Sequence, residues 1–181
     1  MMIIKNMKNT NVQEALKIKS EVRDLLQSII DGKKTRPEIE EICVSLINEQ
    51  VKDKSDLKGF WRIIDDEHMP SDARVDFIYY PTYYATMIMM LGYLMNIGEN
   101  ILDLEKTLCL GLEACAKTNL SGHGYERMDV KIEVLNLFIK AGLLEFLTLH
   151  YDFCRPFSKM IDRTFEYIEN AIDNNLTKGN W

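Results

Sequence analysis

"TYYATMIMMLGYLMNI", residues 82–97, decides the fold. It is apolar on nearly all sides. A helix of that kind is buried on every face, either in a protein core or in a membrane. The uncharged stretch from Phe77 to Gly98 has the length of a bilayer span. However, it contains Pro81, two threonines, an asparagine and five tyrosines, and only Ala85 to Ile97 is strongly apolar. The reading is therefore the central helix of a non-membrane domain. Pro81 suits its first turn, where a missing N–H is harmless, and Gly98 is expected to stop it.

The neighbouring segments supply what such a helix needs around it. Val12, Ala15, Leu16, Val22, Leu25, Leu26, Ile29 and Ile30 keep three-and-four spacing, interrupted by Lys19. Asn11 can cap this first helix and Gly32 can end it. In "TRPEIEEICVSLINEQV", residues 35–51, Thr35 and Glu38 form a capping box and Pro37 falls in the first turn. Ile39, Ile42, Cys43, Leu46, Ile47 and Val51 make its inner face. Residues 52–80 lose the helical period and read as a long ordered loop, with weak alternation from Arg74 to Tyr80 suggesting a short extended piece. Beyond the central helix, Asn100 can cap a fourth helix with Ile101, Leu104, Leu108, Leu112 and Cys115 inward. A fifth runs from about Asp129 to Lys140, and Gly142 breaks it before "LLEFLTLHY". The last helix carries Phe157, Met160, Ile161, Phe165, Ile168 and Ile172 on one face, and residues 175–181 are expected to fray. The fold class is all-α. We expect about seven helices in stacked antiparallel hairpins, forming a single domain over residues 1–181.

With 46% hydrophobic and 28% charged residues, the chain should fold. Its net charge of −6 argues against a nucleic-acid partner, which would need a basic face. Cys43, Cys109, Cys115 and Cys154 contain no C-x-x-C pair. The first three fall on apolar positions and read as buried thiols in a cytoplasmic protein. No Gly-rich phosphate loop, dinucleotide fingerprint or nucleophile elbow occurs, and no cofactor is implied.

Two passages look alike. "SLINEQVKDKSDLKGFWR" (residues 45–62) precedes "PTYYATMIMMLGYL" (81–94), and "GLEACAKTNLSGHGYER" (111–127) precedes "VKIEVLNLFIKAGLLEFL" (130–147). Each runs from amphipathic helix through a polar break, glycine and aromatic to an apolar helix. Gln50, Asp53, Gly59 and Trp61 resemble the Q-x-x-D-G-x-W repeat of the α/α-toroid superfamily, the terpene cyclases and protein prenyltransferase β subunits. Extra residues precede the glycine here. The resemblance implies a partial array of helical hairpins with a concave inner face. It carries over neither chemistry: "IDDEH" is not the cyclase D-x-D-D motif, no Asp, Cys, His zinc set matches, and the chain is too short for six hairpins.

Three polar clusters could carry function. Asp65, Asp66 and His68 form a metal-ligand candidate or a solvated run. Arg74 and Asp76 lie beside Tyr79 and Tyr83, as a polar anchor in an aromatic pocket or as a structural bond. His123, Tyr125 and Glu126 sit in the glycine-bearing loop, as turn residues, ligand contacts or acid–base groups. Stacked hairpins would bring these loops to one rim. The expected function is binding of a small molecule or peptide in an aromatic pocket that includes Trp61. An enzyme using Asp76, His123 and Glu126, or an interaction scaffold, stands as the alternative. A homo-oligomer is left open.

Overall fold

The structure is a computed structural model. It describes residues 3–4, 12–53, 56–63, 75–97, 101–120 and 128–149, together with positions 162, 165–166, 168–170 and 172–174. Of residues 75–76, 118–120, 128–132 and 148–149 it describes the backbone alone. The described elements are α1 (Val12–Ile30), α2 (Arg36–Glu49), a π turn (Val75–Tyr79), α3 (Tyr80–Leu94), α4 (Leu104–Leu120), α5 (Met128–Lys140) and α6 (Leu143–Leu149). The described positions from 162 to 174 are helical, and no strand occurs among the described residues.

α3 is the axis of the molecule. Every residue from Tyr80 to Met90 is buried, and α1, α2, α4, α5 and α6 all lie against it. α3 and α4 are antiparallel: Thr86 meets Gly111, and Gly92 faces Leu104. α1 buries Ala15, Ile18, Val22, Leu26 and Ile29. The inward stripe passes through Ile18, whereas Val12 and Leu16 are exposed. Lys19 lies at the stripe's edge, with its ammonium 4.5 Å over the Tyr80 ring, an attractive arrangement for a cation. On α2 the capping box forms as expected. Thr35 N–H donates to Glu38 Oε2 at 2.8 Å, and Pro37 lies in the first turn. Gly32 and Gly142 take left-handed φ of 68° and 69° just past α1 and α5, as helix-ending glycines do.

Part of the expected 52–80 loop is helical. The wide turn at Val75–Tyr79 runs straight into α3, so the extended reading of Arg74–Tyr80 is corrected from Val75 onward. The cause is Pro81. Lacking an N–H, it cannot bond the Phe77 carbonyl one turn back. Instead, that carbonyl accepts the Ile63 N–H at 2.9 Å. Thr82 adds a second tie, donating its hydroxyl to the Ile78 carbonyl at 2.7 Å.

The loop after α2 is pinned to the core. Val51 N–H donates to the Phe60 carbonyl and Gly59 N–H to the Val51 carbonyl. Phe60, Trp61 and Ile63 are all buried. Gly59 has φ 91°, and a Cβ there would strike the Leu110 carbonyl. Only glycine meets both demands.

α3 stops earlier than expected. Met95 caps it, and Asn96 takes the left-handed conformation, with φ 55°; Gly98 lies outside the described residues. Asn tolerates that region better than most residues. On the last helix, Ile168 packs against the core, whereas Phe165 and Ile172 are exposed. Residues 175–181 lie outside the described residues.

Candidate functional site

Trp61 lies at 0% exposure where α2, α3 and α4 converge. Its indole N–H donates to the Leu46 carbonyl at 2.9 Å. Its backbone N–H donates to Thr82 Oγ1 at 3.0 Å. Its ring lies against Gly111, where a Cβ would stand 3.0 Å from Cζ3. All of its donors are satisfied, and its faces are covered. Trp61 therefore ties three helices together and offers no surface to a ligand. Tyr79 and Tyr83 are likewise buried.

Beside them runs a polar seam between α1, α3 and α5. Tyr84 O–H donates to Glu133 Oε1 at 3.0 Å, and Arg23 lies 4.0 Å from the same oxygen. Burial first, then the Glu133 charge, pushes the Tyr84 phenol upward, so it stays protonated at neutral pH. The seam is a satisfied structural contact.

An open cavity of about 830 Å³ lies at the other end of α3. The helix rise, about 1.5 Å per residue, puts it roughly 20 Å from Tyr80. Tyr93, Leu94, Ile101, Leu102 and Leu104 give it an apolar lining, and Asn96, Asp103, Glu105, Lys106 and Cys109 give it polar groups. Its shape comes from the turn between α3 and α4. Ile97 is fully buried and anchors that turn. Arg36 donates to the Asn96 carbonyl at 3.3 Å, tying it to the start of α2. Asp103 adopts φ 73°, and its carbonyl accepts the Thr107 N–H at 2.9 Å, which starts α4. Asp103 and Glu105 oppose the positive end of the α4 dipole. Tyr93 meets Phe146 of α6 edge-on at 5.8 Å. Leu94 and Leu102 stay in contact with solvent, Leu102 at 90% exposure.

The cysteines divide by position. Burial pushes the Cys43 and Cys115 thiols up to about 12, so neither is a thiolate nucleophile at neutral pH. Cys109 was expected inside, but it is half-buried on the cavity wall.

Asp65, Asp66, His68, Arg74, His123, Tyr125 and Glu126 lie outside the described residues, as does the side chain of Asp76. Among the described residues, no three His, Cys, Asp or Glu side chains gather as a metal site. Also among them, no helix is long and apolar enough to cross a membrane. The α3–α4 register sets Leu120, the end of α4, level with the π turn, at the same end of α3 as Asp76. Sequence reasoning missed the cavity. Its one local signal was the pair Asn96 and Asp103, both turn-forming residues between the third and fourth helical patterns. No protein family, curated protein or solved structure matches the chain.

Proposed function

We propose that the protein binds a small amphipathic molecule, or a peptide side chain, carrying a basic group, in the cavity between α3 and α4. The observation that carries this is the cavity itself. Its volume of about 830 Å³ lies within the usual range for ligand sites, about 300–1,000 Å³. An apolar lining with two carboxylates against one ammonium favours an apolar body with a cationic head. Binding fits better than cysteine catalysis, because burial holds Cys43 and Cys115 protonated, and burial, then the Glu105 and Glu113 charges, raises the Cys109 thiol as well. The three free thiols among the described residues support a cytoplasmic setting.

Cys109 makes the test direct. In a Cys154→Ser background, disulfide-exchanging fragments are offered to the folded protein, and adducts are read by intact mass. Basic apolar fragments should be captured at Cys109 several-fold over neutral isosteres, whereas Cys43 and Cys115 stay unmodified. Glu105→Gln should abolish the preference. Equal capture of basic and neutral fragments would sink this reading.

A further inference from the structure

Surface of the cavity's own character continues outside it. Leu94 and Leu102 line the cavity and are exposed, and Met95, next after Leu94, is exposed but lies beyond the lining. Negative charge continues along α4. Glu105 stands on the wall, and Glu113 lies eight positions further on, outside the lining. At a rise of 1.5 Å per residue, about 12 Å of helix separates them. Residues four apart share a helix face, so Glu105, Cys109 and Glu113 form one row. After burial, these two carboxylates are what raises the thiol between them. Lys106, also on the wall, has no part in that shift. Near the start of α2, by contrast, surface charges are matched at close range. Lys33 lies 2.7 Å from Asp31, Lys34 3.0 Å from Glu38 and Arg36 3.3 Å from Glu40. Among the described residues, Asp103, Glu105 and Glu113 take part in no ion pair.

We propose that the cavity mouth and the Glu105–Glu113 row of α4 together form a docking surface for a basic, apolar segment of a partner protein. An apolar side chain of the segment enters the cavity past Leu94 and Leu102. Its basic side chains meet Asp103 and Glu105 at the mouth and Glu113 along α4. The inference rests on the cavity's preference for basic, apolar ligands proposed above, and extends it from a molecule that fills the cavity to a chain that runs on beyond it. Reach selects the chain, because a molecule confined to the cavity leaves Met95 and Glu113 uncovered. Three unmatched carboxylates select its sign, since opposed charges steer and register a partner whereas like charges reject it. An exposed apolar patch rimmed by polar groups is a usual mark of a protein contact.

The test uses the full chain and dye-labelled peptides of about eight residues, which span about 26 Å when extended. One is built from leucine and lysine, and the others carry glutamine or glutamate in place of lysine. Fluorescence anisotropy should show the lysine peptide binding saturably, about tenfold or more tighter than the glutamine peptide, with the glutamate peptide weakest. Glu113→Gln and Leu102→Ser should each weaken the lysine peptide about fivefold or more. Glu21→Gln, which removes the same charge from α1, should leave it unchanged. All three positions are exposed, so folding is not at stake. Equal losses at Glu113 and Glu21 would reduce the binding to attraction by the net charge of −6 and overturn the proposal. Failure of the lysine peptide to bind would overturn it too. So would a dimer in sedimentation that Leu102→Ser dissolves, because a second copy would then hold the surface. Fragment capture at Cys109 separates the two readings. Preferential capture of basic fragments, with a lysine peptide indifferent to Glu113→Gln, leaves the cavity ligand standing and removes the docking segment. Equal capture of basic and neutral fragments removes both.

Discussion

The two ends of α3 are built on different terms. At the N-terminal end, Pro81 and Thr82 hand their local bonding to a distant loop, and Trp61 closes the space between three helices with its donors satisfied. At the C-terminal end the chain turns through two left-handed non-glycine residues, leaves Leu102 in solvent and encloses an open cavity. Side chains at the first end are fixed by several partners each and have nothing left for a ligand. Those at the second have apolar surface and charge unspent. A dense cluster of aromatics is thus a poor guide to a binding site when every ring is packed, and a sparse turn is a better one when its residues stay accessible.

Substitutions can break this contrast. The largest effect belongs to Trp61→Ala, which removes a fully buried ring and leaves the Leu46 carbonyl with the Gln50 N–H as its one remaining donor. It should lower unfolding free energy by about 3–5 kcal/mol in urea titrations followed by circular dichroism. Gly111→Ala puts a methyl 2.8 Å from Thr86 Oγ1 and 3.0 Å from the Trp61 ring. Overpacking of this kind should cost about 1–3 kcal/mol, and a smaller ring in Trp61→Phe should recover part of it, since the two sites are in contact. At the open end, Leu102→Ser should change stability by less than about 0.5 kcal/mol while reducing fragment capture at Cys109. A stability loss as large as at Trp61 would show the turn to be core and erase the contrast.

The smallest effect is a pair of titrations on α2. Glu38 is held down at about 2, first by the Thr35 N–H and then by Lys34 and the Thr35 hydroxyl. Its folded value lies below its unfolded value, so its stabilisation is present above the ordinary carboxylate range, about 4.3. It fades as pH falls toward 2. Glu49 goes the other way, because burial outweighs its hydrogen bonds. Its contribution is full in acid and shrinks as pH rises through its folded value. Carboxyl chemical shifts followed by NMR should show Glu49 titrating at higher pH than Glu38. The reverse order would contradict the burial of Glu49.

Much of the fold was legible because its signals are local. The Thr35–Glu38 box, Gly32, Gly142 and the all-round apolar α3 each depend on residues a few positions apart. What was hidden depends on distant partners. The Phe77 carbonyl finds its donor at Ile63, so the π turn has no period of its own to read. Trp61 lies in a stretch with no helical period, and its ring packs against Gly111, fifty positions on. Asn96 takes the left-handed turn conformation beside Ile97, which is fully buried, a placement set by the core and not readable from turn preference. Of the residues expected to form the site, Trp61, Tyr79 and Tyr83 are in the core, and only for Tyr83 did the all-round apolar helix give a sign of it.

Pro81 has one more consequence. A better helix former at that position would bring an amide hydrogen able to claim the carbonyl of Phe77, in direct rivalry with Ile63. Pro81→Ala should therefore tighten the start of α3 as an isolated peptide, yet speed amide exchange at Ile63 in the whole protein. Here a residue that looks like a defect in a helix works as an open berth, reserved for a strand of chain that arrives from the far side of the loop.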